Sequence, residues 1–125
     1  MDLVKYSKEY QAICNEIFKT ALLSLLEKYG DDFIWWANTT NNVYYESEAK
    51  REIKQGHPLY EKSIYYLAKC EINDDVIFGL DNGSYVIIHL TFAEYSLAGY
   101  PKFQYFSDIK NIICYIEKQY IDEYL

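Results

Sequence analysis

Residues 74–92, DDVIFGLDNGSYVIIHLTF, decide the fold. The dipeptide Asn82-Gly83 tolerates positive φ at both central positions of a type I′ turn, and it separates two runs rich in Val, Ile, Phe and Tyr. This arrangement predicts a β-hairpin with a two-residue loop. Because both faces of the two strands are apolar, we expect the hairpin to lie inside its sheet rather than at an edge.

The two-residue loop also fixes a register for the predicted hairpin. In that register Val76 lies opposite His89, while Asp74 lies opposite Thr91 and diagonal to His89. His89 therefore shares a face with apolar residues and lies within reach of a carboxylate.

Helical periodicity marks the two ends of the chain. Ser7 is positioned to cap the first helix, and Gly30 is positioned to end it in the left-handed conformation. Ser107 is positioned to cap the last helix. The apolar stripe of the first helix consists of Tyr10, Ile13, Cys14, Ile17, Phe18, Ala21, Leu25, Leu26 and Tyr29, and that of the last of Ile109, Ile112, Ile113, Ile116 and Tyr120.

A charged helix is predicted over residues 44–55, where Glu46 and Lys50 are spaced for an ion pair before Gly56 and Pro58 end it. Strands outside the hairpin are predicted at residues 64–70 and 102–106, and the short apolar run at residues 33–36 is a further candidate strand. The order of these elements predicts an α+β fold, in which an antiparallel β-meander of about four strands packs against long N- and C-terminal helices. We expect one domain over residues 1–125.

Composition narrows the possible partners. The 125 residues carry a net charge of −7, which repels phosphate backbones and anionic membranes, so neither nucleic acid nor a membrane is an expected partner. No run approaches the roughly 18 apolar residues of a membrane span. The first residues lack the pattern of a secretion signal, and Cys14, Cys70 and Cys114 show neither disulfide nor zinc spacing, so we expect a cytoplasmic protein.

Three segments together resemble a small family of uncharacterised bacterial proteins: HPLY at residues 57–60, the stretch at 74–92, and PKFQYFSD at residues 101–108. The resemblance covers roughly the C-terminal half of the chain. It implies a single bacterial cytoplasmic domain and carries no activity, cofactor or partner. Phe92 stands where the family has tryptophan after HLT.

His57, Asp74 and His89 are the candidate residues for acid–base or metal-assisted catalysis. Imidazole and carboxylate groups suit zinc, iron or manganese. Their spacing matches no metal motif, however, so neither a metal nor another cofactor is predicted. The alternative interpretation is structural: His89 bonds a backbone carbonyl, while Asp74 and Asp75 turn the chain between strands.

The preferred functional hypothesis is a non-enzymatic protein-binding module. The chain contains fifteen tyrosines, a residue enriched at interfaces, and its negative charge would steer it toward a basic protein. In composition it resembles the immunity proteins that neutralise basic nuclease toxins, so the module is expected to be of the immunity or antitoxin kind. Two alternatives remain: a small enzyme that uses His57, Asp74 and His89, and a homodimer formed through an apolar sheet face.

Overall fold

The computed structural model describes residues 8–37, 42–95 and 97–125, with the side chains of residues 8–12 and 31 left out. Five strands form one antiparallel sheet in the order β1-β2-β3-β4-β5, so each strand pairs with its neighbour in sequence. This meander confirms the predicted α+β class, with one strand more than expected. The strands are β1 (Trp35–Trp36), β2 (Ile64–Cys70), β3 (Asp75–Leu80), β4 (Tyr85–His89) and β5 (Lys102–Phe106).

Over the described ranges, three α-helices accompany the sheet: α1 (Lys8–Tyr29), α2 (Asn42–Glu52) and α3 (Ile109–Tyr124). α1 and α3 cover one face, and α2 covers the other. The result is three layers, which explains why both faces of the hairpin strands are apolar. In the described part of the chain, no helix is both long and apolar enough to cross a membrane.

The hairpin between β3 and β4 is confirmed as an inner pair, but the predicted register is wrong by one residue. The Leu80 N–H donates to the Ser84 carbonyl oxygen at 2.9 Å, and the Gly83 N–H donates to the Leu80 carbonyl oxygen at 3.1 Å. Within the loop only Gly83 has a positive φ, of 85°. These features define a three-residue loop, a type I turn followed by a left-handed glycine.

The physical cause of the longer loop is the Asn82 side chain. Its Oδ1 accepts a hydrogen bond from the Ser84 N–H at 3.1 Å, so Asn82 acts as an acceptor within the turn and keeps a negative φ. The one-residue shift moves the partner of every strand residue. Val76 therefore faces Ile88, and Asp75 rather than Val76 faces His89.

Two buried clusters, one on each face of the sheet, form the core. The cluster beneath α1 and α3 includes Phe18, Leu22, Trp35, Ile77 and Ile116. The cluster beneath α2 includes Ala49, Ile53, Val76, Phe78 and Ile88.

The predicted stripe of α1 is only partly confirmed. Cys14, Phe18 and Leu25 are buried, but Ile13 and Ile17 are exposed, and Leu22 replaces them in the core. The stripe on α3 is confirmed by buried Ile112, Ile116 and Tyr120.

Helix ends also differ in detail from the predictions. Gly30 has φ 80° directly after α1, as expected. The residue that caps α3 is Asp108 rather than Ser107, because the Asp108 carboxylate accepts from the Asn111 N–H at 2.9 Å. Ser7 lies outside the described residues. In α2, Glu46 accepts a hydrogen bond from the Tyr66 N–H at 2.8 Å instead of pairing with Lys50. β1 pairs only with Lys69 and Cys70 of β2, so Glu46 supplies the acceptor for a backbone N–H of β2 that lies beyond the end of β1.

Candidate binding site

His57 holds a loop together with both of its ring nitrogens. Nδ1 accepts a hydrogen bond from the Leu59 N–H at 3.0 Å, so the ring proton lies on Nε2, which donates to the Pro101 carbonyl oxygen at 2.9 Å. The ring also packs on Phe103, with 5.2 Å between centroids. Through these contacts, His57 connects the segment after α2 to the start of β5.

His89 pairs with Asp75, the neighbour of the predicted partner. The Nδ1–H of His89 donates to Oδ1 of Asp75 at 2.6 Å, and the His89 side chain is 52% exposed. Asp74 contributes its backbone here, because its carbonyl oxygen accepts from the Leu90 N–H at 3.1 Å. The register shift explains this exchange, since successive residues of a strand point to opposite faces.

The structure does not bring the three predicted site residues together. Phe103, on which His57 packs, is the β5 partner of Ile88, whereas His89 is the partner of Lys102 one position along. His57 and His89 therefore lie on opposite faces of the sheet. Across the described residues, no three His, Cys, Asp or Glu side chains are placed to hold a metal ion.

A different cluster occupies the end of α2. Glu52 is only 2% exposed, although it is charged. Its Oε1 accepts from the Thr91 N–H at 2.8 Å and from the Thr91 hydroxyl at 2.9 Å, and its Oε2 accepts from the Phe92 N–H at 2.8 Å. One buried carboxylate therefore holds two successive backbone N–H groups of the loop that follows β4.

Glu48 and Arg51 complete this cluster, which we call the Glu52 clamp (Glu48, Arg51, Glu52, Thr91). The Arg51 guanidinium donates to both carboxylate oxygens of Glu48, at 3.1 and 2.5 Å, and to the Ala93 carbonyl oxygen at 2.8 Å. Its Nη2 also lies 3.9 Å from Oε2 of Glu52. The clamp thus binds the loop through both backbone donors and a backbone acceptor.

The pKa values of the two carboxyl groups of the clamp are shifted in opposite directions. Burial raises the pKa of Glu52, and the hydrogen bond that its protonated carboxyl donates to the neighbouring Glu48 raises it further, although the backbone N–H groups act in the opposite direction. The hydrogen bond from Arg51 lowers the pKa of Glu48. When a proton binds this pair of carboxyl groups, Glu52 is therefore the favoured site.

The clamp holds Phe92 in an unusual backbone conformation. Phe92 has φ 53°, in the left-handed region that a residue with a side chain rarely adopts. Such conformations cost about 1–3 kcal/mol and persist where the surroundings impose them. Here the Phe92 N–H is bound by Glu52, and the Phe92 ring remains 39% exposed.

The exposed ring of Phe92 belongs to an aromatic array. Its centroid lies 6.3 Å from that of Tyr44, with the rings 20° from parallel. Tyr44 contacts Tyr45 at 5.1 Å, and Tyr45 stacks on Tyr66 of β2 at 5.4 Å. We call Val43, Tyr44, Tyr45 and Phe92 the Tyr44 patch; Val43 and Tyr44 are 68% and 58% exposed.

Asp74 acts electrostatically on this array. Burial, and after it the charges of Tyr44 and Asp74, raise the pKa of the Tyr45 hydroxyl. Asp74 is exposed. The predicted site residue Asp74 therefore influences Tyr45 electrostatically, while the carboxylate that pairs with His89 is that of Asp75.

Sequence reasoning missed the Glu52 clamp and the Tyr44 patch. Glu48, Arg51 and Glu52 read as ordinary charges on a solvated helix, since nothing local shows which of them is buried. One signal was present: the resemblance marks HLT followed by an aromatic residue, and the clamp binds the Thr91 and Phe92 of this segment.

The chain matches no protein-family model, no curated protein and no solved structure. No match therefore supports the resemblance or indicates an activity. The function has to be inferred from the geometry of the chain itself.

Proposed function

We propose that this protein is a non-enzymatic binding module of the immunity or antitoxin kind, which binds a basic protein through the Tyr44 patch. The observation that carries the proposal is Phe92. The chain keeps a non-glycine residue in the left-handed conformation and buries a carboxylate to hold it, and the result is an exposed aromatic ring. Strain that is maintained in this way clusters at functional sites.

The chemistry of the patch favours a cationic ligand. Tyr44 offers a ring that is 58% exposed, and a Lys or Arg side chain binds favourably over such a face. Asp74 supplies a negative charge within reach, and the net charge of −7 favours encounter with a basic surface. One arginine of the partner, stacked on Tyr44 and paired with Asp74, would use both features.

The patch also differs from the other exposed tyrosines. Among the side chains that the structure describes, six more tyrosines are exposed, at positions scattered over the loops, β5 and α3. Scattered exposed apolar side chains are normal, whereas a contiguous aromatic group next to a charge is typical of an interface centre. The six are Tyr60, Tyr95, Tyr100, Tyr105, Tyr115 and Tyr124.

The test is affinity capture of the tagged protein from a lysate of its source cells at low and high salt, with the bound species identified by mass spectrometry. We expect one stoichiometric basic protein that is lost at high salt, because exposed charge attraction is screened within about 8 Å at physiological ionic strength. The complex is then reconstituted and its Kd measured.

Matched variants link the complex to the patch. Tyr44→Ala is expected to weaken binding at least about tenfold, as for a residue at an interface centre, and Asp74→Asn by about fivefold. Tyr95→Ala removes a tyrosine that is 78% exposed outside the patch and should leave the Kd unchanged. Salt-insensitive capture, or equal losses from Tyr44→Ala and Tyr95→Ala, would contradict the proposal.

Phe92→Gly separates binding from folding. Glycine adopts the left-handed conformation without steric cost, so this variant should fold while lacking the ring. We expect it to bind at least about tenfold more weakly than the wild-type protein while its free energy of unfolding changes by less than about 1 kcal/mol. Undiminished binding by Phe92→Gly would remove Phe92 from the site.

A second candidate function has one observation in its favour. Asp75 orients the exposed His89 ring through Nδ1, which leaves Nε2 directed away from the pair, as a general base requires. The dyad borders a surface depression of about 250 Å³ that also includes Lys102 and Tyr115. Metal analysis of protein purified without chelator tests the metal-assisted form: a stoichiometric divalent ion lost in His89→Ala would support it.

A further inference from the structure

The last strand of the sheet has an open edge. β5 pairs with β4 on one side and is terminal in the strand order, so within the described residues no strand lies beside its other side. Its side chains Lys102, Phe103, Gln104 and Tyr105 are all exposed. An exposed edge strand of this length presents backbone groups that can pair with another chain.

The hydrogen-bond pattern identifies the outward-facing peptide groups. In an antiparallel pair, hydrogen-bonded and non-hydrogen-bonded residue pairs alternate. The Leu80 N–H bonds Ser84, and the Leu90 N–H bonds Asp74, so residues 84, 86, 88 and 90 of the β4 segment bond toward β3. Residues 85, 87 and 89 then bond toward β5, where their partners are Phe106, Gln104 and Lys102. The N–H and C=O groups of Phe103 and Tyr105 therefore point to the open edge.

Phe103 and Tyr105 of one β5 strand can pair with Tyr105 and Phe103 of a second copy. When a second β5 is laid antiparallel on the first about a two-fold axis at Gln104, Phe103 of each copy lies opposite Tyr105 of the other. The two residues with outward backbone groups then form the hydrogen-bonded pairs, and Gln104 meets Gln104 in a non-hydrogen-bonded pair. Both Phe–Tyr pairs lie on one face of the sheet, where cross-strand aromatic pairs stabilise.

The charge distribution favours the same contact. Residues 99–107, GYPKFQYFS, contain no carboxylate in a chain whose net charge is −7. Two copies repel each other least where they present such a segment. An open apolar depression beside the edge, lined in part by Tyr105, Cys114 and Tyr115, extends the surface from β5 onto α3.

We propose that the open edge of β5 binds β5 of a second copy of this chain, so that two five-stranded sheets join into one across a two-fold axis at Gln104. The contact uses the sheet edge, unlike the apolar sheet face expected from the sequence, because helices cover both faces. It is separate from the Tyr44 patch, so either proposal can fail without the other.

The test uses Gln104, because Gln104 of one copy lies opposite Gln104 of the other copy on the two-fold axis. The oligomeric state of the wild-type protein is measured by sedimentation equilibrium over a concentration series and compared with Gln104→Lys and Gln104→Glu. Each variant places like charges directly opposite each other, which should weaken the dimer by about fivefold or more. Gln104 is exposed, so both variants should keep the wild-type circular dichroism spectrum.

Two controls make the result specific. Gln55→Lys makes the same substitution at an exposed glutamine in the loop after α2 and should leave the dimer constant unchanged. An equimolar mixture of Gln104→Lys and Gln104→Glu should recover a dimer at least as stable as the wild type, because opposite charges then meet on the axis. A wild-type protein that is monomeric at its highest soluble concentration would overturn the proposal, as would a dimer that Gln104→Lys leaves unchanged.

Discussion

Two ionisable clusters of this molecule place a carboxylate in very different surroundings. The His89–Asp75 pair lies at the end of the sheet, with side chains 52% and 19% exposed. Glu52 is 2% exposed, and both of its carboxylate oxygens accept hydrogen bonds from backbone N–H groups of the loop after β4. A hydrogen-bonded pair at the surface costs little and fixes little, whereas a buried carboxylate costs desolvation and fixes a backbone.

The difference indicates where the fold depends on a charge. The loop after β4 carries Phe92 in the left-handed conformation, and the N–H groups of Phe92 and Thr91 donate their hydrogen bonds to Glu52 of the clamp. His89 and Asp75 face each other across two strands whose register is already fixed by their backbone bonds. We therefore expect substitutions in the two clusters to have effects of very different size.

Glu52→Ala has the largest expected effect. It removes the acceptor of two partly buried backbone N–H groups and leaves Arg51 and Glu48 without their neighbour. Unsatisfied buried donors cost about 1–3 kcal/mol each, so the free energy of unfolding should fall by about 3 kcal/mol. Urea denaturation followed by circular dichroism measures this. A loss below about 1 kcal/mol would mean that water replaces the carboxylate and that the clamp is dispensable.

The pH dependence of the clamp gives an effect of intermediate size. The pKa of Glu52 is raised from its ordinary value of 4.5, so the folded state binds its proton more tightly than the unfolded state does. This contribution to stability is complete below pH 4.5 and is lost as the pH rises through the raised pKa of the folded state. Glu52→Gln cannot titrate there.

The free energy of unfolding of the wild-type protein, measured relative to Glu52→Gln, should therefore decrease as the pH rises from 4.5 toward neutrality. Urea titrations of both proteins at several pH values measure the difference. The opposite slope would show that the three hydrogen bonds to Glu52 outweigh its burial and stabilise the carboxylate in the folded state.

Asp75→Asn has the smallest expected effect. The asparagine still accepts a hydrogen bond from His89, and the pair is exposed on the His89 side. Surface ion pairs contribute about 0–1 kcal/mol, so the free energy of unfolding should change by less than about 1 kcal/mol. A loss as large as that of Glu52→Ala would mean that the two clusters do not differ as their burial suggests.

Much of the fold could be predicted from the sequence. Alternating and helical periodicities placed the hairpin, β2, β5 and the two terminal helices, because these patterns record which side of an element is apolar. The exposed Ile13 and Ile17 of α1 show the limit, since apolar residues next to a buried stripe look the same in sequence whether or not a neighbour covers them.

The candidate site was predicted less well, for two reasons. The prediction linked Asp74 with His89, but the loop includes one additional residue, Asp81, and the resulting register exchanged Asp74 for Asp75. Glu52 was missed because it binds residues 39 and 40 positions later in the chain. Local spacing carries no information about such a contact.

The sequence by itself determined the antiparallel meander, the helices at both ends and the inner position of the hairpin, because each depends on local periodicity and turn chemistry. Only the tertiary structure decided which face α2 covers, that Glu52 is the buried carboxylate, and that Phe92 stays exposed beside Tyr44. Burial depends on which segments pack against each other in the fold, and these contacts form between residues that are far apart in the chain.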